Sequence, residues 1–510
     1  MAIMISAPWR GPRHWSWAVV ALGIPASATP ADWTISPSVR VGESYSDNVR
    51  LSPQSEARSA WITELAPGIA VAATGPRLTL QLDYTLQERR STAEAARRTQ
   101  SLDAGGHAEL LPEWLYLDAR TAISQQNISA FGPQITDPGQ DSTNAVSTRT
   151  VSVTPMLRHY FRGLATAELR YAYERVRADS LYDVDSRDLR LSLSGDDGGR
   201  GWQWQASADH RSTRDVASVP VTNNDAAATL RVPVDPMLTV FGTVGYERAD
   251  YQALDTAPRG RHWSAGAAWQ PSDRTSASAS VGRRFFGQTH SLALQHRMHT
   301  VVWTLNYDED ISTTSAQFQR LQPDVVGNFL YQLWAVRIPD PQMRLQVVNA
   351  FLRLSQLLGP YAGNVNYFSH QYFLQKQWSG AAVYSGPRST LALALNTSRR
   401  TTQTNSAIDS PLLPPGQLAL DQYTRQRTVQ AGWSWRMSSR DSLGAAASRS
   451  VADALDTGRT DRNDSVNLNL TRQLQPKLTA TLDVRHTRHR SNAGGDYREN
   501  AVSAAMILLF

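Results

Sequence analysis

The sequence predicts an all-β fold, a transmembrane antiparallel β-barrel of about 22 strands with a helical extracellular loop. Three observations carry this expectation. Apolar and polar residues alternate with period two along most of the 510-residue chain. Short turns and longer polar connections take turns between the alternating stretches. The chain also ends on an alternating segment closed by an aromatic residue, Phe510. A soluble sandwich would use strands of about 5–6 residues and would not sort its connections by side.

Residues 1–28 read as a signal peptide. Arg10 and Arg13 precede an apolar run from Trp15 to Ile24, followed by Pro25 and Ala26-Ser27-Ala28. That is the basic, apolar, small-residue order of a secretory leader, too short to anchor in a membrane. Cleavage is expected after Ala28 or Ala31, and the barrel is expected to occupy residues 32–510. With no Cys, the chain has neither a disulfide framework, a thiolate metal site nor a lipidation site. Beyond the leader no run approaches the roughly 18 apolar residues of a spanning helix, a test that alternating strands escape by averaging out. The net charge is +6, yet the arginines are scattered among Asp and Glu without a basic block. Nucleic acid is therefore not an expected partner, whereas outer-membrane lipids and the barrel assembly machinery are.

Alternation is clearest in residues 77–88. Leu78, Leu80, Leu82, Tyr84 and Leu86 form one face, and Thr79, Gln81, Asp83, Thr85 and Gln87 the other. Before it, residues 61–73 lead into a turn at Gly75-Pro76. After it, polar residues 89–98 separate it from residues 101–111, and Pro112-Glu113 turns the chain into residues 114–126. Further short turns are expected at Arg162-Gly163, 196–200, 234–236, 271–273, 297–299, Gly386-Pro387, 438–440 and Gln475-Pro476, where Gly, Pro, Asp and Ser dominate. Long connections are expected at 128–144, 177–185, 213–223, 401–420 and 453–464. The count of about 22 is even, as a closed barrel with both ends on one side requires; residues 288–305 are hard to divide, so about 18 or 20 stay open.

Trp263 and Trp269 share one face at the two ends of a strand, with Ala265 and Ala267 between them. Trp202 and Trp204 begin a strand and Trp433 and Trp435 end one, beside short turns, as interfacial aromatic belts require. Glu168, Arg170 and Glu174 in one strand, and Asp483 and Arg485 in another, carry charge that would cost about 2–4 kcal/mol against lipid at the midplane. They are expected to face a wet or ion-paired lumen. A barrel this wide commonly holds a plug, but strands begin directly after the leader and leave no room for a separate N-terminal plug domain.

Residues 313–366 interrupt the pattern. Asp340-Pro341 reads as an N-cap with proline at the first helical position, and Gly359-Pro360 as the stop. Met343, Val347, Phe351, Leu354 and Leu358 recur between them at helical spacing. This extracellular loop is the candidate gate or plug. At the other end, Val502, Ala504, Met506, Leu508 and Phe510 share a face, and Phe510 is the candidate assembly signal.

No P-loop, dinucleotide-binding glycine pattern or nucleophile elbow occurs, so an enzyme is not expected, nor any cofactor. His296 with His299 and His486 with His489 are three apart and would point to opposite faces of a strand, which forbids chelation. Asp308-Glu309-Asp310 reads as a cation site at the outer rim or, more simply, as the polar end of a strand.

Asp32-Trp33, Pro37-Ser38-Val39 and Tyr45-Ser46-Asp47-Asn48 resemble the mature start of the PEP-CTERM system-associated outer-membrane barrel proteins. Arg283-Arg284-Phe285-Phe286-Gly287, Tyr307-Asp308-Glu309-Asp310, Asp340-Pro341 and Ser385-Gly386-Pro387-Arg388-Ser389 are similar to the same family's pattern. The resemblance implies the outer membrane of a Gram-negative bacterium that also encodes exosortase and exopolysaccharide synthesis; the family offers no catalytic residues to carry over. Two functions follow as expectations: a channel or export component for exopolysaccharide or another envelope polymer, or a structural barrel that binds surface polysaccharide or partner proteins without conductance.

Overall fold

The computed structural model describes residues 31–135, 140, 142–179, 182–196, 201–215, 220–251, 253, 258–314, 316, 370–404 and 423–510. The expected leader, and the expected gate loop with Asp340, Met343, Val347, Phe351, Leu354 and Leu358, lie outside the described residues.

Each alternating stretch is a strand. The first five are β1 (Asp32–Ser46), β2 (Ala60–Thr74), β3 (Leu78–Ser91), β4 (Arg97–Leu111) and β5 (Leu115–Asn127). Next come β6 (Ala145–Phe161), β7 (Ala165–Ala178), β8 (Tyr182–Asp196), β9 (Gln203–Asp215), β10 (Val221–Pro233) and β11 (Leu238–Ala249). They are followed by β12 (Arg259–Ser272), β13 (Thr275–Arg284), β14 (Gly287–Arg297), β15 (Val301–Ser312) and β16 (Phe373–Ser385). The last six are β17 (Ser389–Thr402), β18 (Tyr423–Arg436), β19 (Asp441–Ala454), β20 (Arg459–Gln475), β21 (Leu478–Ser491) and β22 (Tyr497–Leu509). Every strand pairs antiparallel with its neighbours in sequence, and β1 pairs with β22 from Ser38↔Leu509 to Ser46↔Ala501. The sheet is a closed barrel of 22 strands, which leaves no free edge. Residues 288–305 divide between β14 and β15.

The two faces of the sheet differ as the alternation requires. In β21 Leu482 and Val484 are exposed, and in β22 Val502, Met506, Leu508 and Phe510 are. Exposed aliphatics in rows around a closed sheet mark the lipid side. Trp33, Trp61, Trp114, Trp263, Trp269 and Trp378 are exposed on it, and Trp433 stacks on Trp435 at 6.0 Å. Turns are tight at the end where β1 begins and β22 finishes; Gly163, at φ +69°, takes the left-handed position of the β6–β7 turn. The longer connections lie at the other end, the extracellular one by the rule for such barrels.

Three expected long connections are short. The chain passes from β7 to β8 through residues 179–181, from β9 to β10 through 216–220, and from β19 to β20 through 455–458. The reason is strand height. With 17 residues, β20 rises roughly 40 Å at the usual tilt, against an apolar band of about 25 Å. Above the band the ladder continues with polar side chains on both faces, so polarity there does not end the strand.

Candidate functional site: an inward loop held across the mouth

At the usual strand spacing and tilt, 22 strands enclose a cylinder roughly 40 Å across, too wide for side chains to fill. Among the described residues two chain segments turn inward at the long-loop mouth. The first follows β5. Ile128 packs against Val146, Val176, Ala178, Tyr182 and Val184 on the inner face of β6–β8. The chain then runs along a chord of the mouth to β19, where Ala130 and Phe131 pack on Ala452 and Ala454. Seven strands, β20–β22 and β1–β4, lie between β19 and β5 around the ring. Phe131 is 0% exposed, and the Arg459 guanidinium lies over its ring at 5.4 Å.

The loop is built to hold this shape. Ser129 N donates to Asn144 Oδ1 at 2.9 Å, and Asn144 Nδ2 donates to the carbonyls of Ser129 and Pro133, both at 2.9 Å. Gln134 Nε2 donates to Ser129 O at 3.0 Å, and Ile135 N to Asn127 Oδ1 at 3.0 Å. Gly132 sits at φ +89°, a conformation L side chains rarely adopt, and presents its amide to the β20–β22 wall.

Two buried carboxylates receive the loop there. Gly132 N donates to Asp461 Oδ2 at 2.8 Å. Asp461 is also held by Arg459 Nε and Nη2, at 2.9 and 2.8 Å, and by Ser491 Oγ at 2.6 Å. Gln140 Nε2 donates to Glu499 Oε2 at 2.9 Å, and Arg485 Nη2 and Ser46 Oγ donate to Oε1 at 3.0 and 2.9 Å. Between them Gln134 N reaches the Tyr497 hydroxyl at 3.3 Å, and His489 stacks on the Tyr497 ring at 5.1 Å. A buried carboxylate is stable only with its lone pairs satisfied, and here the arginines and the loop supply the donors together.

The second inward segment precedes β16. His370 stacks on Tyr182 at 5.2 Å and contacts Asp215 of β9 through Nδ1. Tyr372 stacks on Tyr251 at 4.5 Å, and burial pushes both phenols well above their ordinary pKa, so they stay neutral. Gln371 accepts from Thr402 Oγ1 at 2.7 Å.

The charges expected in the lumen occupy the face opposite the exposed aliphatics. Leu169 and Tyr171 are exposed on the outer face of β7, which places Glu168, Arg170 and Glu174 on the inner one. Glu168 pairs with Arg158 at 3.1 Å, and Glu174 lies in the field of Arg211, Asp188 and Arg170. Beside them Arg211 Nε donates to Asp188 at 3.0 Å and Arg190 Nε to Asp209 at 2.9 Å. Asp483 accepts from Asn469 at 2.5 Å, and Arg485 is the partner of Glu499. Phe510, outside the mouth, is 62% exposed on the lipid side, its amide donating to Pro37 O at 3.0 Å. Glu309 shares the outer face with Trp378, near Lys376 and His290, while Asp310 faces inward to Arg284 at 2.7 Å. The three acidic residues therefore do not converge on one cation, and among the described residues no group of metal-ligating side chains does. His486 bonds Asn500 on the outer face, whereas His489 points inward.

Sequence reading singled out neither Asp461, Glu499 nor Phe131. The signal available was Phe131 beside Gly132-Pro133, an aromatic at a bend in an otherwise polar connection.

No protein-family model and no curated protein matches the chain. Solved structures do. The FrpB iron transporter from Neisseria meningitidis (F5-1 variant) is 10% identical with a TM-score of 0.52, over 95% of this chain and 83% of that one. Its apoprotein form is 11% identical with a TM-score of 0.51, over 95% and 82%. The siderophore receptor PirA from Pseudomonas aeruginosa is 9% identical with a TM-score of 0.45, over 94% and 81%. At such identity the FrpB likeness speaks for the fold alone. With its closed sheet, apolar exterior and aromatic belts, the chain is an outer-membrane β-barrel.

Proposed function

We propose that this barrel is a gated channel rather than an enzyme, and that it passes an exopolysaccharide or another envelope polymer through the outer membrane. The observation that carries the reading is the β5–β6 loop, which spans a sector of the mouth and is held on β20 and β22 by Asp461 and Glu499. A rigid plug would be packed over a large area. Among the described residues this loop is held by hydrogen bonds to Asp461, Glu499, Tyr497 and Arg97 and by one aromatic seat, contacts that can be released and remade. The inner wall of arginines and carboxylates on β6–β9 suits a hydroxylated polymer, which exchanges hydrogen bonds with both.

The polymer assignment rests on the resemblance of residues 32–48 and the later motifs, and the helical gate at 313–366 on the spacing of Met343 to Leu358. Planar-bilayer recordings on refolded protein, with and without residues 313–366, test the channel. Absence of conductance in both would leave the non-conducting, polysaccharide-anchoring barrel as the better reading. Secreted polysaccharide measured in a strain lacking the gene tests the cargo; unchanged secretion would remove the polymer and leave the channel.

A further inference from the structure

The outer face of β11–β13 carries four arginines that no carboxylate among the described residues neutralises. Arg248 of β11 and Arg259 of β12 are directly opposite in register. Arg261 is opposite Tyr246, and Arg283 of β13 is opposite Trp263. All four are exposed, on the same face as Val244, Tyr246, Trp263 and Val281, the lipid side. Among the described residues none of the four has an ion-pair partner. The described carboxylates nearby are engaged elsewhere: Glu247 and Asp310 hold Arg284 on the inner face, and Asp250 accepts from the Thr222 amide. Like charges directly opposite one another on a sheet repel, so this arrangement favours binding of an anion.

A trough lies beside the arginines on the same outer face. Ala208 of β9 and Ala226 of β10 are paired in register, with Leu191 opposite Ala208 on one side and Tyr246 opposite Ala226 on the other. The small pair between two large side chains leaves a groove of about 620 Å³. It is apolar along its floor, and it ends at Arg248 and at the His210–Asn224 hydrogen bond of 2.7 Å. An apolar trough capped by cations has the shape and charge of a site for an acyl chain with a phosphate at its head. The arginines lie at the long-loop end of their strands, Arg261 level with Tyr246 and Arg283 with Trp263, and so at the outer leaflet.

We propose that the outer face of β9–β13 binds a phosphorylated, acylated glycolipid of the outer leaflet. Its phosphate sits among Arg248, Arg259, Arg261 and Arg283, and one acyl chain lies in the Ala208–Ala226 trough. The site is independent of the channel reading.

The test is native mass spectrometry of the detergent-solubilised full chain titrated with bis-phosphorylated lipid A, dephosphorylated lipid A and phosphatidylglycerol. The wild type should retain the phosphorylated glycolipid at least about tenfold better than the other two. Arg248→Gln with Arg261→Gln should weaken that retention by about fivefold per arginine, while heat-modifiable mobility reports an intact barrel. Ala226→Trp, which fills the trough without changing charge, should weaken it as well. Equal retention of the dephosphorylated lipid, or of phosphatidylglycerol, by the wild type would overturn the proposal whether or not the variants fold. Undiminished binding by both folded variants would also overturn it.

Discussion

Replacing Asp461 by Ala removes the acceptor for the loop amide of Gly132 and leaves the barrel hydrogen bonds untouched. Asp461 is 0% exposed, and the bond it accepts from Gly132 N is charge-assisted at 2.8 Å. A hydrogen bond to a charged group contributes about 1.5–3 kcal/mol, which moves the equilibrium between seated and released loop by roughly 10- to 150-fold. The second carboxylate, Glu499, still holds Gln140 in this variant, so the loop should open more often without being lost. The assay is single-channel recording of refolded protein, with the fraction of time in the higher-conductance state as the readout. Asp464→Ala is the control. Asp464 lies three residues along the same strand on the outer face, paired with Arg449 and Arg462, where an exposed ion pair contributes about 0–1 kcal/mol. It should leave the recording unchanged. If Asp461→Ala and Asp464→Ala behave alike in folded barrels, the loop is not held by the Asp461 carboxylate and the reasoning fails.

Phe131→Ala should release the loop more strongly, since emptying a fully buried aromatic seat costs about 3–5 kcal/mol; limited proteolysis within residues 128–144 of the folded barrel should then speed up at least tenfold. Leu468→Arg and Asn467→Arg compare the two faces of β20 at adjacent positions: the first, 47% exposed on the lipid side, should lose about 2–4 kcal/mol in urea unfolding from lipid bilayers, and the second much less. Phe510→Asp should lower the amount of heat-modifiable folded protein in the outer membrane, because the aromatic closing β22 is 62% exposed and contributes nothing to an interior that its loss would disturb; an unchanged amount would remove its role in assembly.

The barrel itself was legible because burial and sequence share a period. Leu482 and Val484 face lipid while Asp483 and Arg485 do not, and reading every second residue suffices to separate them. The tight turns were legible for a similar reason, as Gly163 and Glu113 occupy positive-φ positions in sequence contexts that invite a turn. Above the apolar band the signal disappears. Asp461 falls in a stretch that reads as a polar loop, yet it stands on β20 with its partner Arg459 two residues away. Glu499 looks like one polar residue in the terminal strand. Its meaning depends on Arg485, fourteen residues earlier across the β21–β22 ladder, and on Gln140 from a loop that crosses the mouth. Pairings of this kind are set by strand register and barrel closure, which no local pattern encodes.

In the proposed channel the β5–β6 loop closes the mouth by its contact with β22, and the absence of Cys from the chain allows a direct test. Gln140→Cys and Glu499→Cys put thiols on two side chains whose tips, Nε2 and Oε2, now meet at 2.9 Å, and because Cys is shorter a bifunctional methanethiosulfonate is used to bridge them through two reducible disulfides. Single-channel conductance would be recorded with the pair cross-linked and again after reductant, with the cross-link verified by gel mobility. The expected result is a channel held in its low-conductance state until the reductant is added. Equal conductance before and after reduction would contradict the claim.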